Sequence, residues 1–104
     1  MVEQIKSTAD YDAVLKNNNG VFVDFYADWC GPCKMVGPLV EKISGDYDTV
    51  KFVKVNVDEF PDIAQRYGIM SIPTLIALRN GEPVNKIIGY RPEGDLKALA
   101  DLVK

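Results

Sequence analysis

The stretch Val21-Phe22-Val23-Asp24-Phe25-Tyr26-Ala27-Asp28-Trp29-Cys30-Gly31-Pro32-Cys33-Lys34 constrains this chain more than any other. Its first half is β-branched and aromatic at positions of both parities, the pattern of a strand buried on two faces in the middle of a sheet. Its second half starts a helix. Pro32 is tolerated in a first turn, and Cys33, Met35, Val36, Leu39, Val40 and Ile43 recur at helical spacing. Both cysteines of the chain therefore lie at a strand-to-helix junction. There the unpaired N–H groups of the first turn and the positive end of the helix dipole favour a thiolate at Cys30, and the thiolate is the reactive form. Cys33, three residues on, returns to the same side of the helix at a Cα separation of ~5–6 Å, which a disulfide can bridge. A ring this small removes little unfolded-state entropy, so redox exchange outweighs stability as the reason for the pair.

Composition narrows the setting. The 104 residues, 47% hydrophobic and 26% charged, fit a single domain over 1–104, with no room for a second, cofactor-sized one. The formal charge of −3, with no basic run, argues against a nucleic-acid or anionic-membrane partner. The first twenty residues contain no long apolar core, so neither a signal peptide nor a membrane anchor is expected, and a reducing cytoplasm is the default location. In that compartment two close cysteines point to catalysis or metal binding. The absence of histidine removes Cys-His nucleophilic catalysis and mixed Cys-His zinc sites. Two cysteines fill only half of a four-thiolate site, so a metal centre would need two chains.

In chain order, Val2 to Lys6 suits a short edge strand. Ser7 or Thr8 then caps a helix with Asp10 near its N-terminus and Tyr11, Val14 and Leu15 facing inward, ending at Asn17-Asn18-Asn19-Gly20. After the central strand, a long helix is expected from about Pro32 to about Tyr47, bent at Pro38 and frayed at Gly45-Asp46. Val50 to Val57 alternates as a strand, and the crossover helix makes it parallel to its predecessor. Phe60-Pro61 opens a short helix with Ile63, Ala64 and Tyr67 inward and Gly68 as its stop. Thr74 to Leu78 and Val84 to Ile88 flank Asn80-Gly81, a hairpin signal that makes these two strands antiparallel. An amphipathic helix from about Glu93 to Val103 closes the chain, with Leu96, Leu99, Ala100 and Val103 toward the sheet.

A Cys-x-x-Cys at a strand-helix junction beside a βαβ unit has the form of a thioredoxin-like redox motif. Trp29-Cys30-Gly31-Pro32-Cys33-Lys34, Asp24 within Val23-Asp24-Phe25, Pro38, Ile72-Pro73-Thr74, Asn80-Gly81 and Gly89 resemble the thioredoxin family in identity and order, over the whole chain. The resemblance implies an α/β thioredoxin fold, three layers αβα, in which a five-stranded mixed sheet is flanked by four helices. It implies a monomeric protein-disulfide reductase with no cofactor of its own, acting on client proteins with disulfides. A thioredoxin reductase would recharge it, with flavin and NADPH on that partner.

By the same resemblance, Cys30 is the exposed attacking thiolate and Cys33 the buried resolving thiol, the two closing as a disulfide. Asp24 would lie beneath Cys33 as proton acceptor with Lys54 as its partner. Residue patterning alone also allows a solvated or otherwise satisfied carboxylate and a surface lysine at these positions. Trp29, Gly31 and Pro32 would border the client site. Pro73 would be cis and face the cysteines, Ile72 would pair with an extended client strand, and Gly89 would let the client approach. The chain departs from the family at Tyr26, where many members have tryptophan, and at Met70-Ser71, where several have arginine-glycine. A non-redox thioredoxin-fold scaffold is the alternative reading. An oxidase or isomerase of the same fold is disfavoured by the Gly31-Pro32 dipeptide.

Overall fold

The computed structural model describes residues 1–104. Nine elements follow in order: β1 (Glu3–Gln4), α1 (Thr8–Asn17), β2 (Gly20–Tyr26), α2 (Gly31–Ser44), β3 (Val50–Asn56), α3 (Pro61–Arg66), β4 (Thr74–Arg79), β5 (Glu82–Ile88) and α4 (Glu93–Asp101). The strands form one sheet in the order β1-β3-β2-β4-β5. β1, β3 and β2 are parallel, whereas β4 runs antiparallel to β2 and β5 antiparallel to β4. The mixed sheet with four helices is the architecture expected from the sequence.

Alternation along β2 divides the core. Phe22 faces Val36, Val40 and Ile43 of α2 and Leu96, Leu99 and Ala100 of α4. Val21, Val23 and Phe25 point the other way, to Tyr11 and Val14 of α1 and Ile63 of α3. A strand with helices on both sides has no wet face, which is why its sequence is apolar at nearly every position. Asp24 is the exception, on the α2 side.

The turns follow from local chemistry. Ser7 Oγ accepts the Asp10 N–H at 3.0 Å while Asp10 Oδ2 accepts the Lys6 N–H at 3.0 Å, a reciprocal cap on α1. Asn80 (φ 52°) and Gly81 (φ 83°) both take the left-handed backbone that a two-residue hairpin requires. α2 continues through Pro38.

Several boundaries differ from expectation. β1 shrinks to two residues because it pairs on one side only, with β3, although Ile5 extends the ladder through its N–H to the Lys54 carbonyl. α2 stops at Ser44, not Tyr47. Gly45 caps it, and Tyr47 turns back into the core, its hydroxyl donating to Asp101 Oδ1 at 2.7 Å. Met35 sits on the wet side of α2 and is exposed, despite its helical spacing from the buried residues. α4 ends at Asp101, after which a tight turn exposes Leu102 and still buries Val103. β5 begins at Glu82, earlier than Val84, with a bulge against Ala77/Leu78.

Gly20, at the start of β2, lies against the C-terminal turn. A methyl there would run into the Val103 carbonyl oxygen, a backbone atom that cannot move aside as a flexible side chain would. Gly20→Ala should therefore lower the urea midpoint with an unchanged m-value, at a cost of about 2–3 kcal/mol. Gly94→Ala, where an added methyl meets nothing within 4 Å, should be neutral or slightly stabilising.

Candidate redox site

β2 leads into the turn Ala27-Asp28-Trp29, closed by the Cys30 N–H to the Ala27 carbonyl at 3.2 Å, and α2 starts at Gly31 with Pro32 in its first turn. Cys30 is thus the N-cap, and its Sγ accepts the Cys33 backbone N–H at 3.2 Å. Cys30 and Cys33 are joined as a disulfide with their Cα atoms 5.3 Å apart, within the range that the three-residue helical spacing implies. An N–H that already points at Cys30 Sγ would meet the full charge of a Cys30 thiolate once the bond is reduced, with the helix dipole adding to the effect.

Exposure does not separate the two cysteines. Cys30 is 4% exposed and Cys33 5%, so the expected contrast between an exposed and a buried thiol is absent from the oxidised pair. Both sulfurs are covered because the pair packs with Ala27, with Tyr26, Val57 and Ile72 around it. The cysteines differ in what they face. Cys30 Sγ lies 3.7 Å from the Ile72 carbonyl oxygen, a contact and not a hydrogen bond, since a disulfide sulfur carries no hydrogen. Cys33 lines a cavity of about 190 Å³ on the inner side of α2, together with Asp24 and Lys54.

Opposite Cys30, the Ile72-Pro73 peptide is cis. Its loop is held from both sides. Thr74 Oγ1 donates to the Ser71 carbonyl at 2.6 Å, and the Gly89 N–H donates to the Pro73 carbonyl at 2.8 Å. Gly89 adopts φ 87°, which a residue with a Cβ would adopt only at a cost. Ile72 makes no backbone hydrogen bond of its own. Beside it runs an open groove of about 360 Å³ lined by Trp29, Val57, Ile69, Met70, Ser71 and Ile72. Trp29 is 71% exposed and Met70 97%, so two large apolar side chains stand in water at its rim. Singly exposed apolar residues are ordinary, but a cluster around a groove marks a binding surface.

Trp29 is anchored by residues that the sequence analysis did not single out. Its Nε1–H donates to Asp58 Oδ2 at 2.9 Å. Asp58 is itself held because buried Asn56, at the end of β3, accepts the Asp58 N–H at 2.9 Å and the Glu59 N–H at 3.3 Å through Oδ1. An asparagine at a strand end followed by acidic residues is an Asx-turn signal, and it is the feature that would have marked this loop.

Asp24 lies behind the disulfide, 4% exposed, and its Oδ1 has no hydrogen-bond partner. Burial pushes its carboxyl up to about 7, against a smaller opposing pull from the Lys54 charge. Lys54 stands directly across on β3, in register with Asp24. It is not in ion-pair contact. Its Nζ sits 5.5 Å from the centroid of the Tyr26 ring. A second cavity, of about 530 Å³, reaches Asp24 from the Glu41 and Val2 side past Gly37 and Pro38. The carboxyl is thereby buried from bulk water yet bordered by space for several water molecules.

The structure thus brings Cys30, Trp29, Ile72, Pro73 and Gly89 to one face, with Gly31 and Pro32 between the cysteines. Asp24 and Lys54 lie on the inner side, reached through Cys33. The thioredoxin family model matches residues 2–101. The chain is 42% identical over 100 residues to thioredoxin-1 of Saccharomyces cerevisiae, covering 96% of this chain and 97% of the relative. It is 46% identical over 99 residues to the thioredoxin of Staphylococcus epidermidis, covering 93% and 95%. The solved structure of Plasmodium falciparum thioredoxin matches with a TM-score of 0.92 at 36% identity, covering 99% of this chain and 100% of that one. The likeness runs nearly end to end and places Cys30 and Cys33 at the family's active-site position, and so the chain belongs to the thioredoxin family of protein-disulfide reductases.

Proposed function

We propose that Cys30 attacks the client disulfide and Cys33 resolves the mixed disulfide, in a reaction that moves two electrons from this chain to the client. The observation that carries this order is the Cys33 N–H directed at Cys30 Sγ, at 3.2 Å, from the first turn of α2. It stabilises negative charge on Cys30 and on no other sulfur. The Cys30 thiolate bonds to one client sulfur, and the other client sulfur leaves as a thiolate that takes up a proton. Cys33 then gives its proton to the Asp24 carboxylate across their shared cavity and attacks Cys30 Sγ. The intermolecular bond breaks, the second client sulfur departs, and the Cys30–Cys33 disulfide remains.

Binding of the client belongs to the same reading. The unpaired backbone of Ile72 offers an N–H and a carbonyl to an extended client segment, and Gly89, bonded to the Pro73 carbonyl, adds no side chain beside it. The Trp29 and Met70 side chains would cover the client's apolar residues. Clients are proteins with disulfides, and a thioredoxin reductase carrying flavin and NADPH restores the dithiol. The chain acts as one domain over 1–104 and as a monomer. A cytoplasmic location suits it, since a reducing compartment keeps the pair available as a dithiol. No helix is long and apolar enough to cross a membrane.

Insulin reduction driven by dithiothreitol tests the order of the thiols. Cys30→Ser should bring the rate to background, while Cys33→Ser should accumulate a stable mixed disulfide with the client, visible by mass spectrometry. Brief alkylation of the reduced protein near neutral pH should label Cys30 first. Labelling of Cys33 first would reverse the roles.

Asp24 gives a second test. With a folded carboxyl near 7 and an unfolded one near ~3.9, the folded state binds more protons between those values. Stability should therefore fall as pH rises through that window and stay reduced above it. A displacement of this size corresponds to about 4 kcal/mol. Asp24→Asn should abolish the slope and be the more stable protein at pH 8 in urea melts. Its mixed disulfide should also be released more slowly, with the first attack little changed. Equal slopes in the two proteins would mean that Asp24 titrates normally.

A further inference from the structure

One ammonium group near Asp24 has two possible resting places. Lys54 stands in register with Asp24 across β2 and β3, and Tyr26 lies two residues along β2 on the same face, so the lysine can reach either the carboxylate or the ring. In the structure it takes the ring, with Nζ 5.5 Å from the Tyr26 centroid, while Asp24 Oδ1 is left without a partner. The ring is itself held in place. The side-chain amide of Gln4 donates to the Tyr26 hydroxyl, and Gln4 pairs in register with Lys54 on the far side of β3. Tyr26 is therefore fixed across β3 by an edge strand that has no other evident task at the site.

We propose that Tyr26 is a positioning residue whose ring holds the Lys54 ammonium at the mouth of the Asp24 cavity, short of contact with the carboxylate. Contact with the buried carboxylate would require the ammonium to give up water, whereas over the Tyr26 ring it keeps a cation–π contact at the edge of the cavity, so a fixed ring can decide where the lysine rests. The consequence is chemical. An ammonium in contact would keep Asp24 ionised and a poor proton acceptor, whereas one held at a distance leaves it a stronger base. The other groups on the cavity walls are Asp28 from the turn after β2, Cys33, Lys34 and Glu41 from α2, and Met1 at the outer end. From β4 the residue in register with Asp24 is Leu75, which carries no charge.

The direct measurement is the titration of the Asp24 carboxyl by carbon-13 NMR in the reduced, full-length protein. Tyr26→Leu should free Lys54 to pair, lowering the proton affinity of Asp24 about tenfold. Tyr26→Phe keeps the ring and loses only the Gln4 bond, so it should stay within about twofold of the native value. Repeated in a Lys54→Met background, Tyr26→Leu should have no effect, which separates the lysine from any change in cavity solvation. Tyr26→Met serves the same purpose if the leucine variant does not fold. An unmoved midpoint in Tyr26→Leu, or an equal shift in the Lys54→Met background, would overturn the proposal. The rate of mixed-disulfide release should shift to lower pH alongside the midpoint, and this part alone rests on Asp24 acting in the second step. A moved midpoint with an unmoved release profile would count against that role and leave the positioning by Tyr26 standing.

Discussion

Everything at this site depends on β2 having a bonded neighbour along both edges. It pairs with β3 from Gly20 to Tyr26 and with β4 from Gly20 to Phe25, so its backbone has no freedom to shift register. The helix that begins five residues later inherits this rigidity. A capping N–H stabilises charge only if it is held on the sulfur, and here the strand fixes the turn, the turn fixes Cys30, and Pro32 sets the first turn of α2. A slip of one residue would place Asp24 among the α1 and α3 side chains and aim Phe25 at the cavity. Fold and chemistry share one constraint.

The same strand carries the least favourable group in the molecule. Phe22 and Val23 do what core residues do, but Asp24 is buried with an unpartnered oxygen, a loss that an apolar residue there would avoid. What prevents the cost from growing is the incomplete closure around it. Gly37 leaves space above the sheet, and Pro38 supplies no N–H to the middle of α2. The water-sized spaces on either side let the carboxyl stay neutral or ionised without a fixed partner. A fully packed cavity would favour the neutral acid strongly, and an ion pair with Lys54 would favour the charged form. Neither extreme would suit the proton acceptor that Asp24 is proposed to be.

The parts of this arrangement differ in how far sequence discloses them, and the difference is physical. The βαβ crossover, the hairpin at Asn80-Gly81 and the cysteine junction depend on local spacing, so apolar period and turn chemistry suffice to place them. The end of α2 is less legible because Tyr47 continues the apolar pattern past Gly45, and only tertiary contact with Lys97 and Asp101 reveals that it has left the helix. Met35 fits helical spacing and is exposed, since spacing places a residue on a helix without saying how wide the covered stripe is. Residue types also leave Lys54 ambiguous. Strand register puts it opposite Asp24, but its choice of the Tyr26 ring depends on a rotamer and on Gln4, and no periodicity encodes either. The Asn56-Asp58 support for Trp29 is a local turn whose target lies 29 residues away, so no spacing in the sequence points to it.

The near-equal burial of Cys30 and Cys33 bears on how one disulfide can be both inert and reactive. If access alone set the order of attack, the oxidised pair would offer no reason for a client to meet one sulfur before the other. Direction supplies it. Cys30 faces the Ile72 carbonyl and the groove beyond, so an extended chain hydrogen-bonded to Ile72 would run past that sulfur and not past Cys33. Cys33 faces the cavity of about 190 Å³ that it shares with Asp24, on the inner side of α2. The two surfaces of α2's first turn thus separate the groove beside Ile72 from the Asp24 carboxyl. With Asp24 acting as the base proposed above, the second step need not wait for the client to move, because the carboxyl borders Cys33 from behind the helix while a client would occupy the front.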